Sequence, residues 1–235
     1  RPALVLSCEH GGTRVPRGFP RTPAFDALLP THRGWDPGAL HLARRMARLL
    51  GAPLRYSTIS RLVVEPNRDE GGAEVFSPWS AALPCRERRR LLARYHRRHR
   101  ARVRRAVEAA SEGGRRPVVH LGVHTFTPVL DGVVRSVEVG ILLDPDRPLE
   151  RQVSHRWMAE LAHLRPELEI HENEPYDGRS EGLTTTLRHH FPREGSLNYA
   201  GLELEVSQGL LGRNGRFPDA LAAALAGSLA SALDS

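Results

Sequence analysis

The sequence predicts an α/β fold built as one domain over residues 1–235, with a mostly parallel or mixed sheet. Three observations carry that reading. Short apolar runs alternate with helical patterns along the chain. The 235 residues, 40% of them hydrophobic, suffice for one large core. No internal repeat or low-complexity linker divides them. Aromatics are only 6% of the residues, so Leu, Val and Ala must fill most of that core.

The elements follow in order. Ala3–Ser7 is an apolar run that reads as a buried strand. Pro37 suits the first turn of a helix reaching Leu50, with Leu40, Ala43, Met46 and Ala47 on one face. Pro53–Ser57 and Arg61–Glu65 read as two short strands. Arg86–Ser111 is the longest helical pattern, its apolar spacing set by Leu91, Leu92, Tyr95, Val103 and Val107. Pro117–Val123, rich in β-branched residues, reads as a strand, and Val133–Leu143 as a longer one. Leu149–Leu164 is helical, Glu169–His171 closes a short strand and Leu183–His190 forms a weak helix. Gly201–Val206 alternates as a strand, and Pro218–Leu233 is an alanine-rich terminal helix. The Arg-, Pro- and Gly-rich stretches at 12–23 and 66–84 are expected to be long loops, which often carry function.

Composition narrows the partners. The chain contains no lysine, so all 34 basic residues are arginine, an economy that codon bias explains more simply than function. A net charge of +7 raises the question of acidic partners, but net charge bears on solubility rather than fold. The run CRERRRLLARYHRRHRARVRR at 85–105 keeps helical apolar spacing and has no aromatic platform beside it. It therefore reads as a solvated helix face, and a nucleic-acid partner is not expected. Cys8 and Cys85 make no disulfide framework, so a reducing cytoplasm is the expected location. No stretch approaches the ~18 apolar residues of a membrane span, and the N-terminal residues lack a signal-peptide pattern.

Polar residues stand beside the ends of several apolar runs, where ligands bind in open α/β sheets. Glu9-His10 follows the first strand, and His120 and His124 share a face of the strand in VVHLGVHTF. Histidines from two strand ends suit zinc, which needs a third ligand, usually a carboxylate in hydrolases. Asp36 in GWDPG and Glu9 are both candidates; Asp36 could equally cap the helix after Pro37. Glu203 and Glu205 lie on one face of GLELEVSQGL. On an edge strand, the placement the pattern favours slightly, both would face water. On a central strand a carboxylate must be paired, metal-bound or poised for proton transfer. Asn67-Arg68, after RLVVEP, offers an amide and a planar fork for a carboxylate.

Together SCEHGGTRVP, GWDPGAL, SRLVVEPNRD, HTFTP, NEPYDG and GLELEVSQGLL occur in an order that resembles the N-formylglutamate amidohydrolase family, from about Leu4 to Leu211. That family looks like a relative of the zinc carboxypeptidases, a phosphorylase/hydrolase-like architecture with a central mixed sheet and helices on both faces. The resemblance implies a zinc-dependent hydrolase, one metal per chain, cleaving a small carboxylate-bearing N-acyl amide such as N-formylglutamate. It implies His10, His124 and Asp36 as metal ligands, with Glu9 the second choice to Asp36. Glu205 becomes the general base, with Glu203 as the alternative. Asn67 and Arg68 hold the substrate carboxylate, with help from Arg61. Gly11-Gly12 would let backbone and metal approach closely. The chain departs from the family pattern at Thr13, where many members have Asn, and at Ser207, where many carry Arg. Other N-acyl or peptide substrates remain a rival to the formyl reading.

Overall fold

A computed structural model describes residues 1–191 and 198–234. Its elements, in chain order, are β1 (Ala3–Cys8), α1 (Pro23–Leu28), α2 (Ala39–Leu50), β2 (Leu54–Tyr56), α3 (Pro78–Ala81) and α4 (Cys85–Leu91). A π-helical turn over Leu92–His96 joins α4 to α5 (Arg97–Ala110). Then come β3 (Val118–Phe126), β4 (Val129–Leu130), β5 (Val133–Val134), β6 (Val139–Leu142) and α6 (Pro148–Leu164). The chain ends with β7 (Ile170–Glu172), α7 (Leu183–His190), β8 (Tyr199–Ser207), a 3-10 turn at Gln208–Leu210 and α8 (Asp219–Asp234). No helix among the described residues is long and apolar enough to cross a membrane.

The central sheet is mixed, in the order β2-β1-β3-β8-β6-β7. β2, β1, β3 and β8 run parallel, and β6 turns antiparallel to β8. Alternate side chains of each strand feed opposite faces. Leu6 and Cys8 of β1 join the larger cluster with α2, α6 and α8, where Trp157 is fully buried. Ala3 and Val5 instead pack with Val103 and Val107 of α5 and Leu183 and Leu187 of α7. Helices thus cover both faces, as expected of an α/β sheet.

Three expectations need correction. Arg61–Glu65 is a turn, not a strand: Val63 N–H bonds back to the Ser60 carbonyl and Glu65 N–H to Val75. Its apolar residues serve a separate cluster with Phe25, Leu91 and Leu92. Val133–Leu143 is two strands. Asp131 and Gly132, both at positive φ, turn a β4–β5 hairpin, and β6 starts only at Val139. Asp-Gly is the favoured pair for such a two-residue turn. The expected loop at 66–84 also holds the short helix α3, and α1 begins where the loop at 12–23 ends; each is opened by a capping hydroxyl, Ser77 and Thr22, and a proline in the first turn.

One buried ion pair ties the two halves of the sheet's helical cover. Arg188 of α7 grips both oxygens of Glu150 on α6 at 2.9 Å, while Glu150 also accepts from the Asp144 and Gly201 amides. Glu150→Ala would leave Arg188 buried without its carboxylate, and we expect it to cost about 3–5 kcal/mol. Urea denaturation of the variant beside the native protein measures this; a shift below 1 kcal/mol, a figure on the order of a surface-pair loss, would contradict it.

Candidate metal centre and active site

The site forms at the C-terminal ends of β1, β3 and β8, on the face covered by α5 and α7. β1 ends and delivers Glu9 and His10. The backbone then runs tightly along the residues after β2. A Cβ on Gly11 would lie 2.7 Å from the Ser57 carbonyl oxygen, and one on Gly12 3.0 Å from that of Thr58. The two glycines therefore serve a close approach between backbones, not an approach to a metal as expected. β3 delivers His124, directly opposite Glu205 of β8 in the parallel register. β8 is an inner strand between β3 and β6, which corrects the expected edge placement of Glu203 and Glu205. Asp36 comes from the turn before α2. It does not cap that helix: the cap position is Gly38, with no side-chain bond. Gly38 sits at φ 84°, and a Cβ there would press within 2.6 Å of Leu211.

The geometry converges on Asp36. Its Oδ2 lies 3.1 Å from His10 Nδ1 and 3.0 Å from His124 Nδ1. All three residues are buried. The far nitrogens of both rings face carboxylates: His10 Nε2 is bonded to Glu65 Oε1 at 2.5 Å, and His124 Nε2 is 3.2 Å from Glu9 Oε2, an ion-pair contact not aligned as a hydrogen bond. Glu65 is held in turn by Arg61 Nε at 2.6 Å, and Glu9 by His99 Nε2 of α5 at 2.9 Å. The result is a buried chain, Arg61–Glu65–His10–Asp36–His124–Glu9–His99.

The charge states follow from that chain. Burial raises the Glu9 pKa, but hydrogen bonds and charge from His124 and His99 outweigh it, and its carboxyl lies well below the usual range. Burial likewise opposes ionisation of Glu65 and Asp36, yet Arg61 and His10 for the first, and His10 and His124 for the second, hold both low. Ionised carboxylates only accept, so each Nε2 facing Glu65 or Glu9 carries the proton. A neutral imidazole then presents a bare Nδ1 lone pair. Two such lone pairs and one carboxylate oxygen would face each other, three acceptors with no hydrogen among them. Either each ring takes a second proton or a cation sits between them. Burial lowers both histidine pKa values, as does Arg61 for His10, but the surrounding carboxylates reverse this and raise them, so without a cation both rings are drawn toward the second proton. The donor set itself, two imidazoles backed by carboxylates plus one carboxylate, fits a divalent metal such as zinc. His10, Asp36 and His124 could hold one, their ligand atoms all lying within 4.8 Å.

A cavity of about 220 Å³ opens beside this cluster, lined among others by Arg61, Asn67, Arg68, Tyr176, Glu181, Glu203 and Glu205. Glu205 is buried and its Oε2 has no partner among the described residues. Burial pushes its pKa up to about 8; His124 pulls it down, while Asp36 and Glu203 raise it further. Glu203 is different: it accepts a hydrogen bond from Thr184 Oγ1 at 2.6 Å. Asn67 spends its Oδ1 on the Leu183 N–H at the start of α7, and its own N–H on Glu65. Its Nδ2 forms no bond among the described residues. Arg68 pairs with Glu74 at 3.0 Å and donates to the Glu181 carbonyl. Arg61 is engaged more deeply in the His10–Asp36–His124 cluster than expected, with its guanidinium also 3.5 Å from Asp36 Oδ1.

His120 is buried between Tyr199 Oη at 2.9 Å and Ser7 Oγ at 2.8 Å, and lies outside the cluster. Burial holds its pKa down at about 4. The unfolded chain takes up this proton near pH 6.5 and the folded one does not. Stability is therefore expected to fall as pH drops from about 6.5 toward 4, by roughly 3 kcal/mol from this residue. The pH slope of the urea midpoint should flatten in His120→Gln; an unchanged slope would contradict the assignment.

Four contributors escaped the sequence reading. Glu65 stands in SRLVVEPNRD, where an acid inside an apolar run was the available signal. His99 lies with Val103 and Val107 on the apolar face of the arginine-rich helix. His96 Nε2 and Arg100 from the same helix hold the Arg68 carbonyl, at 2.7 and 2.9 Å. That helix therefore positions the Asn67-Arg68 loop, and is not merely a solvated face.

Comparison with known proteins follows the same line. No curated protein matches the chain. The solved structure of gene product Atu2144 from Agrobacterium tumefaciens superposes with a TM-score of 0.80 at 27% identity, covering 100% of this chain and 91% of that one. A metallo-carboxypeptidase from Burkholderia cenocepacia aligns at a TM-score of 0.42 and 15% identity over 100% of this chain and 57% of that one, a likeness too weak to bear on function. The family model described as N-formylglutamate amidohydrolase matches residues 2–211. With that share of its 235 residues matched, the chain belongs to the N-formylglutamate amidohydrolase family, a family of hydrolases.

Proposed function

We propose that the protein is a zinc-dependent amidohydrolase that cleaves the C–N bond of a small N-acyl amino acid. His10 Nδ1, Asp36 Oδ2 and His124 Nδ1 are the metal ligands in this reading. The observation that carries it is the meeting of these three acceptors, with the His10 tautomer fixed from behind by a bond to Glu65 and Glu9 standing 3.2 Å behind His124. Bound there, zinc supplies Lewis acidity, polarising the amide carbonyl and acidifying water.

The chain's own residues do the rest. Glu205 Oε2, buried and without a partner among the described residues, takes a proton from the attacking water and passes it to the departing amine nitrogen. Its raised pKa places it near neutrality, where one group can both accept and return a proton. The Asn67 amide and the Arg68 guanidinium, on the cavity wall, hold the substrate's carboxylate and so fix the scissile amide. Arg61 orients Glu65 and Asp36 and contributes charge to the same wall.

Glu9 acts from behind. Glu9→Gln would free the His124 tautomer, and we expect zinc affinity to fall about 10–100-fold. Competition with a chelator measures it; unchanged affinity would show that Glu9 does not orient the ligand.

A second reading of the substrate has its own support. Asp177, Glu181 and Glu203 line the cavity with Glu205, while Arg61 and Arg68 are already engaged by Glu65 and Glu74. That balance favours an amide carrying a cationic group. The test is a hydrolysis screen of N-formyl, N-acetyl and dipeptide substrates, each with glutamate and with arginine as the amino acid. Turnover of N-formylglutamate above all others supports the formyl-glutamate reading, preference for the arginine series supports the second, and no turnover of any with zinc supplied would overturn both.

A further inference from the structure

A second cavity lies on the other side of α5, away from the site just described. It measures about 380 Å³ and is walled by Arg94, Arg98 and Arg102 from one helical edge and by Arg14, Tyr56 and Tyr95 around them. No carboxylate among the described residues lines it. The contrast along the helix is informative. Arg97, Arg100 and Arg104 pair with Glu70, Asp69 and Glu108. Arg94, Arg98 and Arg102, four residues apart, and Arg14 across from them have no ion-pair partner among the described residues. Like charges at that spacing repel, so the edge holds a positive potential that the protein itself does not neutralise.

The floor of the cavity adds an independent observation. His99 lines it, is 4% exposed, and has a buried Nδ1 with no hydrogen-bond partner among the described residues. Its Nε2 is committed inward to Glu9. With Nε2 donating to the ionised Glu9, Nδ1 offers a lone pair and calls for a donor, which the P–OH of a partly protonated phosphate group supplies.

We propose that this cavity is a binding site for a phosphate-bearing small molecule, its anionic oxygens held by Arg14, Arg94, Arg98 and Arg102 above His99. Guanidinium forks match phosphate oxygens in pairs, and four of them suit more than one negative charge. A concave pocket favours a compact ligand. A nucleic-acid backbone would need a continuous basic track, which the carboxylate-paired Arg97, Arg100 and Arg104 interrupt.

The test is calorimetric titration of the metal-loaded protein with inorganic pyrophosphate, and separately with a single-stranded oligonucleotide, at fixed salt. Because pyrophosphate also binds metal centres, the double variant Arg98→Gln/Arg102→Gln is titrated alongside, with Arg105→Gln as a control from the same helix outside the cavity wall. The expected result is one saturable pyrophosphate site per chain, weakened at least tenfold in the double variant and unchanged in Arg105→Gln. All three substitutions are on exposed side chains, so folding should survive, and circular dichroism confirms it. Absence of saturable binding, equal binding by the double variant, or equal weakening by Arg105→Gln would overturn the proposal. Tighter binding of the oligonucleotide, lost in the double variant, would overturn it in favour of a nucleic-acid surface. None of these outcomes depends on hydrolytic activity, so failure here is distinct from failure of the amidohydrolase reading.

Discussion

Glu205→Gln is expected to leave metal content unchanged and to lower kcat by about 10²–10⁴-fold, the range that removal of a general acid–base group costs. The substitution is nearly isosteric on an inner strand, so β3–β8 pairing should persist. It removes the one buried carboxylate oxygen beside the cluster that has no partner among the described residues. The pH profile adds a second readout. A base acts only when deprotonated, so native kcat/KM should rise with pH through the Glu205 pKa. That pKa is raised by burial, and a cation at the neighbouring cluster would draw it down from about 8. The ascending limb should vanish in the variant. Normal turnover by Glu205→Gln would transfer the role to Glu203, whose bond with Thr184 makes it the poorer candidate.

Asp36→Asn is the second large effect, and its sign differs between metal and stability. The carboxamide removes an anionic ligand, so zinc affinity should fall by more than the about 10–100-fold that indirect changes cost. In the metal-free protein, at a pH above the raised histidine pKa values where both rings are neutral, the same change should be neutral or stabilising. An amide NH₂ standing where Oδ2 stands can donate to both His10 Nδ1 and His124 Nδ1, and so replaces three opposed acceptors with two hydrogen bonds. Neither ring then needs a second proton. Chelator competition and metal-free melting curves separate the two. Retained zinc affinity would remove Asp36 from the ligand set; a large loss of metal-free stability would mean that the imidazoles are held as doubly protonated partners of a carboxylate.

The fold was legible where one period dominates. β3 and β8 show strand spacing and α6 helix spacing over long stretches, and these elements lie close to their expected bounds. The reading failed where apolar residues serve a purpose other than regular pairing. Leu62-Val63-Val64 bury against Phe25 and α4 while their backbone turns. In Val133–Leu143 the Asp131-Gly132 turn ahead of it was the missed signal, and the alternation crosses two strands.

The site was legible as a set of residues at strand ends but not as a network. His10, Asp36 and His124 come from three distant segments; the two histidines stand where apolar runs stop, and Asp36 stands just ahead of Pro37, all of which the sequence displays. Glu65 and His99 do not stand out, because each is embedded in a pattern with a simpler meaning, an apolar run and an arginine-rich helix. The edge or centre question for Glu205 depends on which strands flank β8, information held in the crossover connections and absent from local alternation. Arg61 was expected at the substrate; its bond to Glu65 depends on a turn that was read as a strand.

The most direct test of the account is the metal content of the purified protein after zinc loading and desalting, measured by elemental analysis beside His10→Ala and His124→Ala. The account predicts one zinc per chain in the native protein and none in either variant. A native protein that retains no metal, or variants that retain it fully, would contradict the assignment of the cluster as a metal centre.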